Sequence, residues 1–436
     1  MAILKYEKAF QYSSRTLLPM MGAFTAYCSM YAFRKAFAAG TFAGEMVWGI
    51  DYKILLISFQ ALGYLLSKFI GIKVVSEMPQ DRRAASILLL IGISWASLLL
   101  FASIPVPYNI VFLFFNGLPL GMIWGLVFSY LEGRRNTELL GAGMSASFIV
   151  SSGLVKSVGK YLIDAWQVSE YWMPFLTGLL FVPVLLAGVW MLERTPAPDT
   201  ADIGHRSERS RMDLGGRLAL FRRFSVGIIL VVGIYIALTI FRDVRDNFAV
   251  EIWALLGRAD TSRLLFWSEV PIALCVFATI ALMMYVRNNR IAFYANLAII
   301  ILGGILLLLG NLLFSAGLIG PVAWMVIAGF AMYLAYISYH TMLFERWFAH
   351  FRCIGNLGFF MYLADSFGYL GSLSVLMIKN FGAALTGWLE VLLVLGYVVG
   401  AATIVLGGMA WIYFLGKERE VIGSPALAPS SSPETF

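Results

Sequence analysis

Seven of the 32 basic residues sit in stretches otherwise built from apolar side chains: Arg34, Lys35, Lys68, Lys156, Lys160, Arg242 and Arg245. An arginine cannot shed its charge, so inside a bilayer it needs water, a carboxylate or a bound anion beside it. Tyr31-Ala32-Phe33-Arg34-Lys35-Ala36-Phe37 puts two adjacent cations in an apolar run that continues through Ala38, Ala39 and Phe42. That continuation favours a cavity over a headgroup position from which the side chains merely snorkel to water. Phe241-Arg242-Asp243-Val244-Arg245-Asp246-Asn247 forms a second cluster, with Arg242 and Asp246 spaced i,i+4 and Asp243 and Asp246 spaced i,i+3. It either neutralises itself along one helix or shares its charges with a site. Arg242 stands apart because its depth matches that of Arg34.

Two arginines facing each other suit a phosphate. The guanidinium fork matches a phosphate edge, and a phosphomonoester of about −1.5 to −2 charge offsets both cations. Lys68, in Ser67-Lys68-Phe69, reads equally as a site cation or a snorkelling side chain, whereas Lys156 and Lys160, one helical turn apart, read first as snorkelling. Glu269, in Ser268-Glu269-Val270-Pro271, opens one apolar run, and Asp365 lies midway along another. A carboxylate so placed accepts a proton, pairs with an arginine or caps a broken helix. His340 and Glu345, five apart, do not share a helix face, so no metal site is expected. Gly153 to Gly159-Lys160 has the wrong spacing for a phosphate loop, and Tyr161 stands where Ser or Thr is required. No cofactor is expected. Cys28, Cys275 and Cys353 read as small buried hydrophobes.

The elements that must position these groups follow from composition. The chain has 436 residues, 60% hydrophobic and 13% charged, with a mean hydropathy of +0.81. Such a chain excludes a soluble enzyme, a disordered scaffold and a nucleic-acid binder, and predicts an all-α polytopic membrane protein whose partner is the lipid bilayer. Apolar stretches fall near 16–42, 52–72, 86–104, 108–131, 139–163, 171–192, 224–256, 264–286, 291–314, 321–344, 354–378 and 385–415. The reading is therefore an N-terminal six-helix half (1–193), a linker (194–223), a C-terminal six-helix half (224–416) and a disordered tail (417–436). Residues 16–33 and 224–241 are both uncharged runs of eighteen, each bounded by basic residues and offset by 208. Each predicts a helix of roughly 27 Å ending at a matching depth, as in parallel repeats sharing a central site. With the N-terminus cytoplasmic, twenty-one basic residues lie inside and four outside, namely Lys53, Arg258, Arg263 and Lys379. Both termini are accordingly placed in the cytoplasm, and the first span is read as uncleaved. Gly117, Gly121 and Gly125 predict close approach of a neighbouring helix.

These residues resemble the Major Facilitator Superfamily and, more narrowly, its organophosphate:phosphate antiporter branch. The resemblance rests on Tyr31, Arg34, Lys35 and Phe37 in the first helix, Ser67-Lys68-Phe69 in the second and Arg242 with Asp246 in the seventh. Glu269 shortly before Pro271, and Phe367-Gly368-Tyr369-Leu370-Gly371, complete it. The resemblance implies a fold of twelve transmembrane helices in two pseudo-symmetric halves. It also implies phosphate held by Arg34 and Arg242, and a monomer in a bacterial inner membrane with inorganic phosphate as counter-substrate. The chain departs from the branch in having Ser151 and Ser152 where close members carry a histidine. Asp243 and Arg245 are additional charges.

The sequence thus predicts a secondary transporter, not an enzyme, for a small anionic phosphorylated solute. Tyr31, Arg34, Lys35, Lys68 and Arg242 are expected to bind the solute, and Asp243, Arg245, Asp246, Glu269 and Asp365 to couple or gate. Proton-coupled symport of an organic anion and a transport-dead sensor are the alternatives. A membrane enzyme acting on a polyprenyl phosphate ranks last.

Overall fold

The computed structural model describes residues 2–131, 137–196, 214–258, 261–283, 285–351, 357–382 and 387–423. Most of the predicted linker and the tail beyond Gly423 lie outside them. The first six spans are helices Ala2–Arg34, Tyr52–Ser76, Arg83–Ser103, Ile110–Phe128, Thr137–Trp166 and Met173–Glu193. The seventh is Leu214–Asn247, and the eighth is divided into Thr261–Trp267 and Glu269–Met283. Asn289–Ser315 is the ninth, and the tenth runs from Pro321–Ser338 through a π turn, Tyr339–Leu343, into Phe344–Phe351. Leu357–Phe381 and Trp388–Gly423 complete the bundle. The result is an all-α bundle of twelve spans in two sets of six. Among the described residues, nine helices are long and apolar enough to cross a bilayer. Spans one, five and eleven, of 33, 30 and 25 residues, are long enough but carry the polar groups Arg34, Lys156 and Asp365.

Local chemistry fixes several helix ends. The Asp51 carboxylate accepts from the Ile54 amide at 3.2 Å, and the Asn288 side chain accepts from the amides of Arg290 and Ile291, each capping an orphan donor. Pro271 explains the divided eighth span. Its ring cannot tolerate the carbonyl four residues earlier, so the helix breaks after Trp267 and restarts at Glu269 with proline in the first turn. The glycine stripe works as expected: a Cβ on Gly117 would strike the Gln60 carbonyl, and one on Gly121 would lie 2.7 Å from Ser67 Cβ. Spans two and four therefore pack backbone to backbone.

Three expectations change. The twelfth helix continues through Gly423 rather than ending before 417, because Glu418 is buried and held by Arg290 at 2.5 Å and the Tyr294 hydroxyl at 3.0 Å. Cys275 is exposed on the outside of its helix, unlike buried Cys28. Lys53 is not a loop residue: it is 1% exposed at the start of span two.

At the end of the bundle carrying residues 37–57, one apolar cluster joins both halves. It includes Phe37, Tyr52, Phe101 and Leu113 of the first half and Phe248, Trp253, Trp388 and Leu392 of the second. The other large cluster belongs to the first half, except for Tyr369 from span eleven.

Candidate functional site

The site begins where the first helix stops. Its last residue is Arg34; the chain turns at Lys35 and continues as a 3-10 segment, Ala36–Ala39. A helix end leaves carbonyls without partners, and here they are buried. Asn116 donates to the Phe33 carbonyl at 2.9 Å, and Gln60 to the Arg34 carbonyl at 2.8 Å. Gln60 also donates to the Asn116 side-chain oxygen at 2.7 Å. This amide knot, from spans two and four, fixes where Arg34 and Lys35 point. The seventh helix reaches Asn247 before its own break, followed by helix Ala249–Leu255. Arg242 therefore lies more than a turn before its helix end, while Arg34 is terminal.

The two arginines nevertheless converge on span eleven. Arg34 donates to the Tyr369 hydroxyl at 3.2 Å, and its guanidinium carbon lies 3.8 Å above the Tyr64 ring. The Arg242 guanidinium carbon lies 6.0 Å from the Tyr369 ring and 4.5 Å from that of Tyr336, whose hydroxyl accepts from Arg242. Their neutralisation differs. Arg242 is bound by Asp243 at 2.8 Å, and Ser372 donates to the second Asp243 oxygen. Among the described residues no carboxylate pairs with Arg34. Its Nε is buried without a hydrogen-bond partner.

The charges of the seventh helix neutralise one another only in part: Arg242 pairs with the adjacent Asp243, but Arg245 and Asp246 find partners on other helices. Asp246 instead holds two lysines from the other half, Lys35 at 2.8 Å and Lys156 at 2.7 Å, and accepts from Ser152. Arg245 pairs with Glu269 at 2.8 Å and donates to the Met325 carbonyl. Lys68 reaches Asp365 at 3.2 Å. Asp365 also accepts from Tyr235, and the His340 ring nitrogen lies 3.8 Å from the same carboxylate oxygen. Tyr31, buried at 8% exposure, is within electrostatic reach of Arg34, Arg242 and Asp246. All ten residues singled out in the sequence therefore fall in the interior. Lys160 does not join them; it pairs with Asp164 along its own helix.

Lys156 is the main correction: it is a buried partner of Asp246 and not a snorkelling side chain. Tyr64, Tyr235 and Tyr336 are interior groups that sequence reasoning passed over, and His340, weighed there only as a metal ligand, joins them. A signal existed for two of them, since Tyr336 and His340 are spaced i,i+4. Tyrosines are ordinary in membrane helices, however, and spacing cannot reveal which ring another helix supplies.

Counting charges decides what the arrangement can hold. Apart from the Lys53–Glu251 pair, six interior cations, Arg34, Lys35, Lys68, Lys156, Arg242 and Arg245, face four carboxylates, Asp243, Asp246, Glu269 and Asp365. Among the described residues the excess is two positive charges. No group of three or more His, Cys, Asp or Glu residues among them is placed to hold a metal.

A sequence profile of the family DUF5690 matches residues 36–417. The chain belongs to DUF5690, a family described as of unknown function. No curated protein sequence matches this DUF5690 member significantly. Its fold is shared with solved transporters. A variant of the nucleoside transporter NupG aligns at 12% identity and TM-score 0.60, covering 92% of this chain and 99% of that one. A bacterial homologue of the human peptide transporters PepT1 and PepT2 aligns at 13% identity and TM-score 0.60, over 95% and 99%. A D-xylose-proton symporter aligns at 14% identity and TM-score 0.56, over 92% and 97%. At these identities the likeness establishes the Major Facilitator fold.

Proposed function

We propose that this DUF5690 protein is a secondary transporter that moves a small, doubly negative, phosphorylated solute by alternating access. The observation that carries this reading is the interior excess of two cations among the described residues, with one guanidinium, Arg34, that rests on Tyr64 and Tyr369 and meets no carboxylate among those residues. In a low-dielectric interior an uncompensated arginine is expensive, and an anion with several oxygens relieves it through short charge-assisted hydrogen bonds. The orphaned Nε of Arg34 is a donor such an anion satisfies. Lys68, 5.1 Å from the Tyr64 ring, and Arg242, 6.0 Å from the Tyr369 ring, supply the remaining charge. The solved transporters of the same fold support movement of a solute over catalysis.

Alternating access follows from where the halves are tied. The closed end is joined by the shared apolar cluster, by Lys53–Glu251 at 2.5 Å and by Asn380 accepting from the Asp51 amide at 2.9 Å. An anion bridging Arg34 of one half and Arg242 of the other lowers the repulsion between them and lets the halves rock.

The test is uptake by purified protein in liposomes of labelled inorganic phosphate, glycerol 3-phosphate and glucose 6-phosphate. At least one is expected to accumulate, with uptake falling by about a hundredfold or more in Arg34→Gln, a loss of roughly 2.7 kcal/mol or more of binding. Undiminished uptake by Arg34→Gln, or uptake of neutral sugars in place of the phosphates, would overturn the reading.

A further inference from the structure

Asp365 differs from the other three interior carboxylates in how it is compensated. Asp243 has Arg242 from its own helix and the Ser372 hydroxyl, and Asp246 has two lysines, so either can leave without stranding it. Glu269 has Arg245, which belongs to the same half. Among the described residues, Asp365 has one Lys or Arg partner, Lys68, supplied by the opposite half. Lys68 is also a cation of the anion site: its ammonium lies 5.1 Å from the Tyr64 ring on which Arg34 rests.

The rest of the Asp365 shell is built from proton-bearing groups. Arg242 donates to Tyr336, whose hydroxyl is 2.7 Å from that of Tyr235, and Tyr235 donates to Asp365. The His340 ring nitrogen is 3.0 Å from the Tyr235 hydroxyl as well as 3.8 Å from the carboxylate. His340 lies in the π turn Tyr339–Leu343, a widened turn that recurs where helices carry function. Its side chain is 15% exposed, more than that of Asp365. The charged and titratable groups facing this pair are Lys68 and Tyr64 from span two, Tyr235 and Arg242 from span seven, Tyr336 and Tyr339 from span ten and Tyr369 from span eleven. Phe148 of span five presents only an apolar ring to His340.

We infer that the transported anion and one proton occupy this protein together: the anion draws Lys68 away from Asp365, and the proton takes the place of Lys68 on that carboxylate. The inference rests on the anion reading above. A carboxylate deprived of its cation in a low-dielectric interior is unstable, and protonation is the cheapest way to neutralise it. The proton comes from water, adds to His340 and passes to an Asp365 oxygen. A water O–H bond breaks as an N–H bond forms on the imidazole, leaving hydroxide in the medium; that N–H bond then breaks as an O–H bond forms on Asp365, and the imidazole returns to neutrality. When the anion leaves, Lys68 returns to Asp365 and displaces the proton to water. Anion and proton thus move in the same direction, and each strengthens the binding of the other by the same factor.

The test measures proton uptake and binding together. Purified protein in unbuffered detergent at about pH 8, where phosphate monoesters are essentially fully dianionic, is mixed with inorganic phosphate, glycerol 3-phosphate or glucose 6-phosphate. A pH-indicator dye follows protons while calorimetry follows the probe. The expected result is one proton taken up per probe bound, with affinity falling tenfold for each unit rise in pH. In Asp365→Asn the uptake is expected to vanish, leaving an affinity that no longer varies with pH. Should that variant not fold, the wild-type stoichiometry decides alone. Binding without proton uptake overturns this inference and leaves the anion reading standing, whereas failure of every probe to bind overturns both.

Discussion

Among single residues, interior cations of one chemical type do different jobs, and variants can separate them. Arg245 is a structural cation. It is held by Glu269 and the Met325 carbonyl, and its guanidinium fills the space where a Cβ on Gly329 would otherwise lie. Arg245→Met strands a buried carboxylate, and the expected loss is about 3–5 kcal/mol of stability. Combining it with Glu269→Gln is expected to recover part of that loss, since no charge is then left uncompensated. Arg34→Gln is expected to behave oppositely, removing anion binding while leaving the thermal midpoint near or above that of the wild type. Melting curves of the four proteins in detergent check this; a midpoint for Arg34→Gln as low as that of Arg245→Met would make Arg34 a scaffold residue. In the sequence Arg34 stands among apolar residues and Lys35 while Arg245 stands between Asp243 and Asp246, which separates a binding from a gating expectation but does not show which carboxylate either one meets. Their roles differ through partners on spans eight and eleven.

Helices place the site chiefly by ending. The first helix stops beneath a pair of amides, so the position of Arg34 depends on Asn116 and Gln60, neither of which touches its guanidinium. Asn116→Leu removes the donor to Phe33 and leaves Ser94, Gln60 and that carbonyl with fewer partners in a dry interior. The expected cost is about 2–4 kcal/mol, taken as one or two unsatisfied buried groups. A reduced affinity for phosphate probes should accompany it as Arg34 loses its register. Binding isotherms together with chemical denaturation test this, and a destabilised protein with unchanged affinity would detach the knot from the site. Much at this scale was legible in the sequence: twelve apolar stretches, the glycine stripe of span four and the proline that divides span eight. The end of the first helix was not, because the apolar run continues to Phe42 and hydropathy does not distinguish a helix from the 3-10 segment that follows it.

Across the whole molecule, the contacts that hold one end shut are the handle on alternating access. Lys53 is nearly inaccessible, bonded to Glu251 at 2.5 Å and to the Ala38 carbonyl at 3.0 Å. Asn380 ties span eleven to the hairpin formed by Met46–Val47 and Ile50–Asp51 at two points. Glu251→Gln removes the charge partner of a buried ammonium and is expected to favour opening at this end. Backbone amides of residues 38–53 should then exchange with deuterium about tenfold faster, equivalent to roughly 1.4 kcal/mol of closure. Unchanged exchange there, with faster exchange elsewhere, would make the pair a fold contact and not a latch.

Composition and hydropathic period were enough to specify a polytopic helical membrane protein with six spans, a break and six more. The energy of placing apolar helices in lipid is a sum over residues that any order of packing preserves. The same local arithmetic marked the interior charges, since a cation in an apolar run is costly wherever the helix lies. Which charges cancel was decided only by packing, because Coulomb energy depends on separation and burial, and those are set when helices from the two halves meet. Tertiary structure gave Asp246 two lysines from spans one and five, gave Asp365 a lysine from span two, and left Arg34 beside tyrosines.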